Sequence, residues 1–187
     1  MIVTGWPTHV YLDNIQNDEY ILELYQYLIT EYSGRDWPTS FSQKNLYTNN
    51  DPIFQKAKDY IAQQIDYFAK EVFKVENPQL HTRLFCTNHH TIGMHQHSGS
   101  IISGVFYVAV NEQSKSVLRL HDPRTNAVRA YPPDYQSYFE PKVMQPKIGD
   151  IIIFPSFLQH EVPFNQNPNE PRIIMPFDVF ADYPDQD

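Results

Sequence analysis

The sequence predicts a mainly β domain, a jelly roll with helices packed outside it, and three observations carry that expectation. The 187 residues include 13 Tyr, 12 Phe and 15 Pro against only 6 Gly. Aromatic residues suit half-buried strands, and scattered prolines punctuate loops. Helical periodicity is confined to the residues before Leu80. Beyond that point short strand-like runs follow one another with no helix between them, the order expected of an antiparallel β domain with helices laid against it.

The first element is an extended segment at Val10 to Leu12. A helix follows, capped by Asn17 or Asp18 and running to about Tyr32, with Tyr20, Ile21, Leu24, Tyr27 and Leu28 on one face and Ser33-Gly34 as its stop. A second helix is announced by Asp51 as N-cap and by Pro52, placed where a missing N–H costs nothing. Ile53, Phe54, Ala57, Tyr60, Ile61, Ile65, Phe68, Val72 and Phe73 then recur at helical spacing, while Lys56, Asp59, Gln63, Asp66 and Lys70 fill the opposite side. That pattern describes an amphipathic helix lying on a sheet. Strands are expected at Leu80 to Thr87, Ile101 to Val110, Val117 to His121, Asp150 to Phe154 and Arg172 to Phe180. Ala130 to Pro146, rich in Tyr and Pro, reads as a long loop of the kind that often forms a lid.

The formal charge of −8 and the absence of a Lys/Arg cluster argue against duplex nucleic acid as a partner. The single cysteine, Cys86, follows Leu84 and Phe85 and is expected to be a buried, inert thiol in a reducing, cytoplasmic setting. No apolar stretch reaches membrane-spanning length, and the N-terminal residues lack the basic-then-apolar pattern of a leader.

Histidines carry the chemistry. His95 and His97 stand two apart, so in an extended segment their rings face one point. Far downstream the segment GDIIIFPSFLQHEVPFN places His160 just past a turn at a strand edge. Two imidazoles on one face and a third from a distant strand make a three-cornered metal site with open positions. His89 and His90 lie close by in sequence. Arg172 opens the run RIIMPF, where a planar guanidinium can grip a carboxylate with two hydrogen bonds.

The order of His95-Gln96-His97, Ser103 to Val108, Asp122-Pro123-Arg124, Phe154 to Val162 and Arg172 to Phe177 resembles the 2-oxoglutarate/iron(II) oxygenase superfamily. It resembles most narrowly a branch found in phages and marine bacteria, and the opening WPTHVYLDNI and the segment around Trp37 look similar to that branch as well. The resemblance implies one oxygenase domain over residues 1–187, in which residues 1–78 pack on a double-stranded β-helix of residues 79–182. It also implies iron(II) as metal and 2-oxoglutarate as cosubstrate, with Arg172 pairing the far carboxylate and Tyr107 or Ser103 within hydrogen-bonding reach. The implied reaction oxidises a C–H bond of a small-molecule or peptidyl substrate and releases succinate and carbon dioxide.

One departure matters. The superfamily's first metal motif is usually His-x-Asp or His-x-Glu, and here His97 stands where the carboxylate would be. Three ligand sets stay open: three histidines (His95, His97 and His160), a carboxylate from elsewhere with Asp122 the candidate, or two protein ligands only. Arg124 either caps a corner at the surface or grips an acidic group on the substrate. Two functions from outside the superfamily also stay open. One is a metal cupin that does not use 2-oxoglutarate. Gly149, Pro155 and His160 fit the spacing of its second motif, although Phe157 replaces the glycine and no glutamate follows in Ser98 to Ile102. The other is a non-catalytic jelly-roll binding module, which has no need of His95, His97, His160 and Arg172 together.

Overall fold

A computed structural model of the chain describes residues 1, 7–39, 42, 44–75, 80–88, 91–110, 116–124, 132, 134, 139–163 and 172–181. Strand β1 (Tyr11–Asn14) leads into helix α1 (Asp18–Tyr32), and a short 3₁₀ turn (Leu46–Thr48) precedes the second helical stretch. That stretch begins as a 3₁₀ turn (Pro52–Phe54), continues as α2 (Gln55–Phe68) and ends in a π-helical turn (Ala69–Phe73). Strands β2 (Leu80–Leu84), β3 (Ile92–His95), β4 (Ile102–Ala109), β5 (Leu118–Leu120), β6 (Lys142–Met144), β7 (Asp150–Pro155), β8 (His160–Val162) and β9 (Ile173–Ala181) complete the order.

Among the described residues the strands form two sheets, ordered β1-β7-β4-β9-β2 and β3-β8-β5-β6, and each named pairing is antiparallel. This is the double-stranded β-helix, two sheets laid face to face with the site between them. Period-two alternation divides the larger sheet into two faces. Phe106 and Val108 of β4, Ile151 and Ile153 of β7, and Met175 and Phe177 of β9 join the core that also holds Leu24, Leu28, Ile61, Ile65 and Phe68 of the helices. Val105 and Tyr107 of β4, Ile152 and Phe154 of β7, and Ile174 of β9 point the other way, meeting Leu118, Leu120 and Val162 of the smaller sheet.

The helices form where their caps and stripes require. Asn17 accepts a hydrogen bond from the Tyr20 amide at 3.0 Å to start α1, and Gly34 at φ +69° ends the turn after it. Asp51 accepts from Ile53 N at 3.1 Å and from the Tyr27 hydroxyl at 2.6 Å, which ties the second helical stretch to the first. Lys56, Asp59, Gln63, Asp66 and Lys70 are all exposed, as the periodicity predicts, while Phe54, Ala57, Ile61, Ile65 and Phe68 are buried. Polar contacts then fix α2 to β1, with the Tyr11 hydroxyl donating to Gln64 at 2.8 Å and the Tyr60 hydroxyl to Asp13 at 3.1 Å. Gly104, at the centre of β4, admits no side chain. A Cβ there would fall 2.3 Å from the Phe177 ring and 2.8 Å from the Ile152 carbonyl oxygen.

The structure departs from the sequence expectations in four places. The first strand is Tyr11–Asn14, shifted beyond Val10, because its partners are Asp150 to Ile153 of β7. The expected strand through Thr87 ends at Leu84, with Thr87 forming an isolated bridge to Ile174. Strands β3 and β8 were not expected. Part of the expected long loop Ala130 to Pro146 is strand β6, held by Arg119 opposite Val143; residues 130–131, 133 and 135–138 lie outside the described set.

Candidate metal and cosubstrate site

His95 is the last residue of β3 and His160 the first of β8, and the two stand directly opposite each other in that pairing. His97 lies two residues beyond β3, where its amide donates to the Ser156 carbonyl at 3.2 Å. That bond holds the end of β3 against the turn that delivers His160. The three rings converge, with centroids 4.2 Å apart for His95 and His160 and 5.0 Å for each of the other two pairs. One nitrogen from each lies within 4.8 Å of the others, and among the described residues this is the group with metal-binding geometry.

Hydrogen bonds to the far ring nitrogens decide which atoms converge. His95 Nδ1–H donates to the Gly93 carbonyl at 2.7 Å, and His160 Nδ1–H to the Leu158 carbonyl at 2.9 Å. A carbonyl only accepts, so each Nδ1 carries the proton and each Nε2 lone pair is left for a metal. His97 Nδ1 is bonded to the Asp178 carboxylate, which has the same effect. His160 is 5% exposed, and burial pushes its pKa down to about 4, with the neighbouring His95 and His97 adding to the drop. It is therefore neutral across the physiological range, the form that can offer a lone pair to a metal. Phe154 packs edge-on against it with centroids 4.8 Å apart.

Arg172 immediately precedes β9 and is 1% exposed. Tyr107 is fully buried, and the two are electrostatically coupled. Burial pushes the Tyr107 phenol up and the Arg172 guanidinium down, each opposed by the other. The Tyr107 hydroxyl has no hydrogen-bond partner among the described residues. A buried hydroxyl left in this way costs about 1–3 kcal/mol, a cost that an acceptor group reaching it beside the Arg172 guanidinium would remove.

The Ser103 hydroxyl, expected within reach of the cosubstrate, lies beside His97 and Asp178. It donates to Asp178 at 2.7 Å and lies 3.1 Å from both Ser156 Oγ and His97 Nδ1. Asp122 and Arg124 bond to each other, with Nε at 2.9 Å and Nη2 at 2.6 Å from the two carboxylate oxygens. The Arg124 hydrogen bond holds the Asp122 carboxyl below its usual range, and the guanidinium also lies over the Phe139 ring at 5.3 Å. Asp122 is not in the converging group. His89 and His90 fall outside the described residues. Cys86 is fully buried, and burial pushes its thiol well above the usual range, as expected of an inert core residue.

Asp178 is the site residue that the sequence reading missed. It sits on β9 opposite Ser103, and its only local signal is an acidic residue closing the apolar run RIIMPF. Beside the histidines a cavity of about 610 Å3 opens, with His95, His97 and Asp178 on one wall and Thr87, Met94 and Pro176 among its other lining residues.

Residues 83–178 match a protein-family model described as "Putative 2OG-Fe(II) oxygenase". A comparison with curated proteins gives no match. Among solved structures, a Pseudomonas putida prolyl-4-hydroxylase superposes with a TM-score of 0.64 at 10% identity, covering 94% of each chain. HygX from Streptomyces hygroscopicus, with nickel and 2-oxoglutarate bound, gives 0.63 at 12% identity over 94% of this chain and 83% of its own. A Trichoplax adhaerens prolyl hydroxylase, in complex with a hypoxia inducible factor peptide fragment, gives 0.60 at 12% over 92% and 83%. These structures share the fold, and the match over residues 83–178 supplies the family: the chain belongs to the 2-oxoglutarate/iron(II)-dependent oxygenases, enzymes that use Fe(II) and 2-oxoglutarate.

Proposed function

We propose that this enzyme hydroxylates a C–H bond of a small-molecule or peptidyl substrate, with His95, His97 and His160 as its three metal ligands. The observation that carries the reading is the convergence of three imidazoles whose Nδ1 atoms are all engaged elsewhere. The overall reaction takes substrate, 2-oxoglutarate and O2 to hydroxylated substrate, succinate and CO2. Bound iron(II) and 2-oxoglutarate supply the oxidising chemistry, and the protein supplies position and exclusion of water.

The roles of this chain's residues follow from their surroundings. His95 and His160, on paired strand ends, hold two corners of the metal site at a separation set by backbone pairing. Arg172 receives the far carboxylate of 2-oxoglutarate, and Tyr107 donates to it through the hydroxyl left open in the same buried region. Arginine suits this task because its planar fork meets both carboxylate oxygens, where lysine offers a point charge. Substrate occupies the cavity walled by His95, His97 and Asp178. Likeness to a prolyl hydroxylase solved with a peptide fragment supports a peptidyl group as one substrate class.

The test is formation of succinate from 2-oxoglutarate under air, with and without iron(II), by wild type and by His160→Ala. The reading expects iron-dependent succinate from wild type and none above background from the variant. Equal iron-independent signals would contradict it.

A further inference from the structure

We propose that Asp178 is a positioning residue for the metal site, bringing through His97 the negative charge that a carboxylate ligand would otherwise supply. The inference rests on the three-histidine reading and goes beyond it. Three neutral imidazoles leave the charge of a divalent ion uncompensated by its ligands. In this chain a carboxylate is present one hydrogen bond further out: Asp178 Oδ1 takes the proton side of the His97 ring. A metal-ligating histidine whose outer N–H is given to a carboxylate is a stronger donor, and its ring is fixed in tautomer and angle.

The surroundings hold Asp178 to this one task. Strand register places it opposite Ser103, and the Ser103 hydroxyl donates to the same oxygen at 2.7 Å. Ser103 is in turn 3.1 Å from Ser156, and both serines are 1% exposed. Ser156 also receives the His97 amide on its carbonyl oxygen at 3.2 Å. Backbone and side chain of His97 are thus tied to the same small network, built from β4, β9 and the turn before β8. The His97 and Asp178 side chains are 25% and 19% exposed, sheltered enough for their interaction to escape much of the screening felt at a surface.

The experiment measures Zn(II) affinity by competition with a chromophoric chelator in wild type, Asp178→Asn, His97→Asp and His97→Asp/Asp178→Asn, with folding checked by circular dichroism. Asp178→Asn keeps the shape and removes the charge, and its affinity should fall by about 10–100-fold. With His97 replaced, Asp178 has no imidazole to act through, so Asp178→Asn should cost clearly less affinity in the His97→Asp background than in wild type. Wild-type affinity in Asp178→Asn, or a loss on Asp178→Asn as large in the His97→Asp background as in wild type, would overturn the proposal. Failure of wild type to bind zinc would instead remove the three-histidine reading beneath it. A second measurement needs no variant. In Zn(II)-loaded wild type, long-range 1H–15N correlation should find His97 ligated through Nε2, with an Nδ1 proton further downfield than those of His95 and His160, whose acceptors are neutral carbonyls. Ligation through Nδ1, or a proton no further downfield than the other two, would contradict the role of Asp178.

Discussion

The Nδ1 atom of His160 lies 2.9 Å from the carbonyl oxygen of Leu158, two residues earlier in the same turn. His95 repeats the relation with Gly93 at 2.7 Å. In both cases the chain supplies its own acceptor, so the free nitrogen is chosen by local backbone and not by a distant partner. His160 is also the most deeply buried of the three, which makes its loss the hardest for water to repair. His160→Ala should lose more metal affinity than the roughly 10–100-fold typical of an outer partner. Elemental analysis after anaerobic loading checks it, and unchanged metal content would remove His160 from the ligand set.

Asp122 offers the contrasting case. Its two oxygens are taken by Arg124, with a further bond from the Arg124 amide at 2.8 Å. Asp122→Ala should leave metal affinity nearly unchanged, since Asp122 lies outside the converging group of ligand atoms. A variant that loses its iron would place a carboxylate in the ligand set after all.

Gly104 sets the spacing between β4 and its neighbours. Gly104→Ala forces a methyl group against the Phe177 ring and the Ile152 carbonyl, and such overpacking costs about 1–3 kcal/mol. Urea denaturation should show a lower midpoint with an unchanged slope. An unaltered midpoint would mean that the strands separate more readily than their contacts indicate.

The Tyr27 hydrogen bond, with a second from the Ile53 amide, holds the Asp51 carboxyl below its usual range. A carboxyl depressed in the folded state stabilises above its unfolded pKa, and the contribution is lost as pH falls through the folded value. Asp51→Ala should therefore lower the melting temperature at pH 7 and by a smaller amount at pH 3. An equal loss at both pH values would show that the ionised carboxylate is not what matters.

Much of this architecture was legible in residue order. The Asp51-Pro52 signal and the stripe from Ile53 to Phe73 gave the second helix its start and its buried face, since both depend on neighbours three or four residues away. Strands β4, β7 and β9 announced themselves as apolar runs. Strands β3, β6 and β8 did not, because IGMH, KVM and HEV are three or four residues long and only partly buried. Such segments become strands through their partners, not through their own composition. The site divides in the same way. His95, His97 and Arg172 stood out by spacing and chemistry, whereas Asp178 acquires its position only when the β4–β9 register brings it to Ser103, 75 residues away in sequence. Ser103 was legible as a polar residue on the inner face, but its partner was not.

Arg172 is where an oxygenase and a simple metal-binding jelly roll differ most. The guanidinium is 1% exposed beside the Tyr107 phenol, and the reading gives it the far carboxylate of 2-oxoglutarate. Truncating one partner of a buried charge pair costs about 2–5 kcal/mol. Metal binding should survive, because Arg172 is not a ligand. The decisive measurement is anaerobic calorimetric titration of 2-oxoglutarate into manganese-loaded wild type and Arg172→Ala. Wild type should bind clearly, and the variant, still holding its manganese, should bind roughly 30-fold to several thousand-fold more weakly. Equal affinity in the two proteins, or no binding to wild type, would contradict that reading.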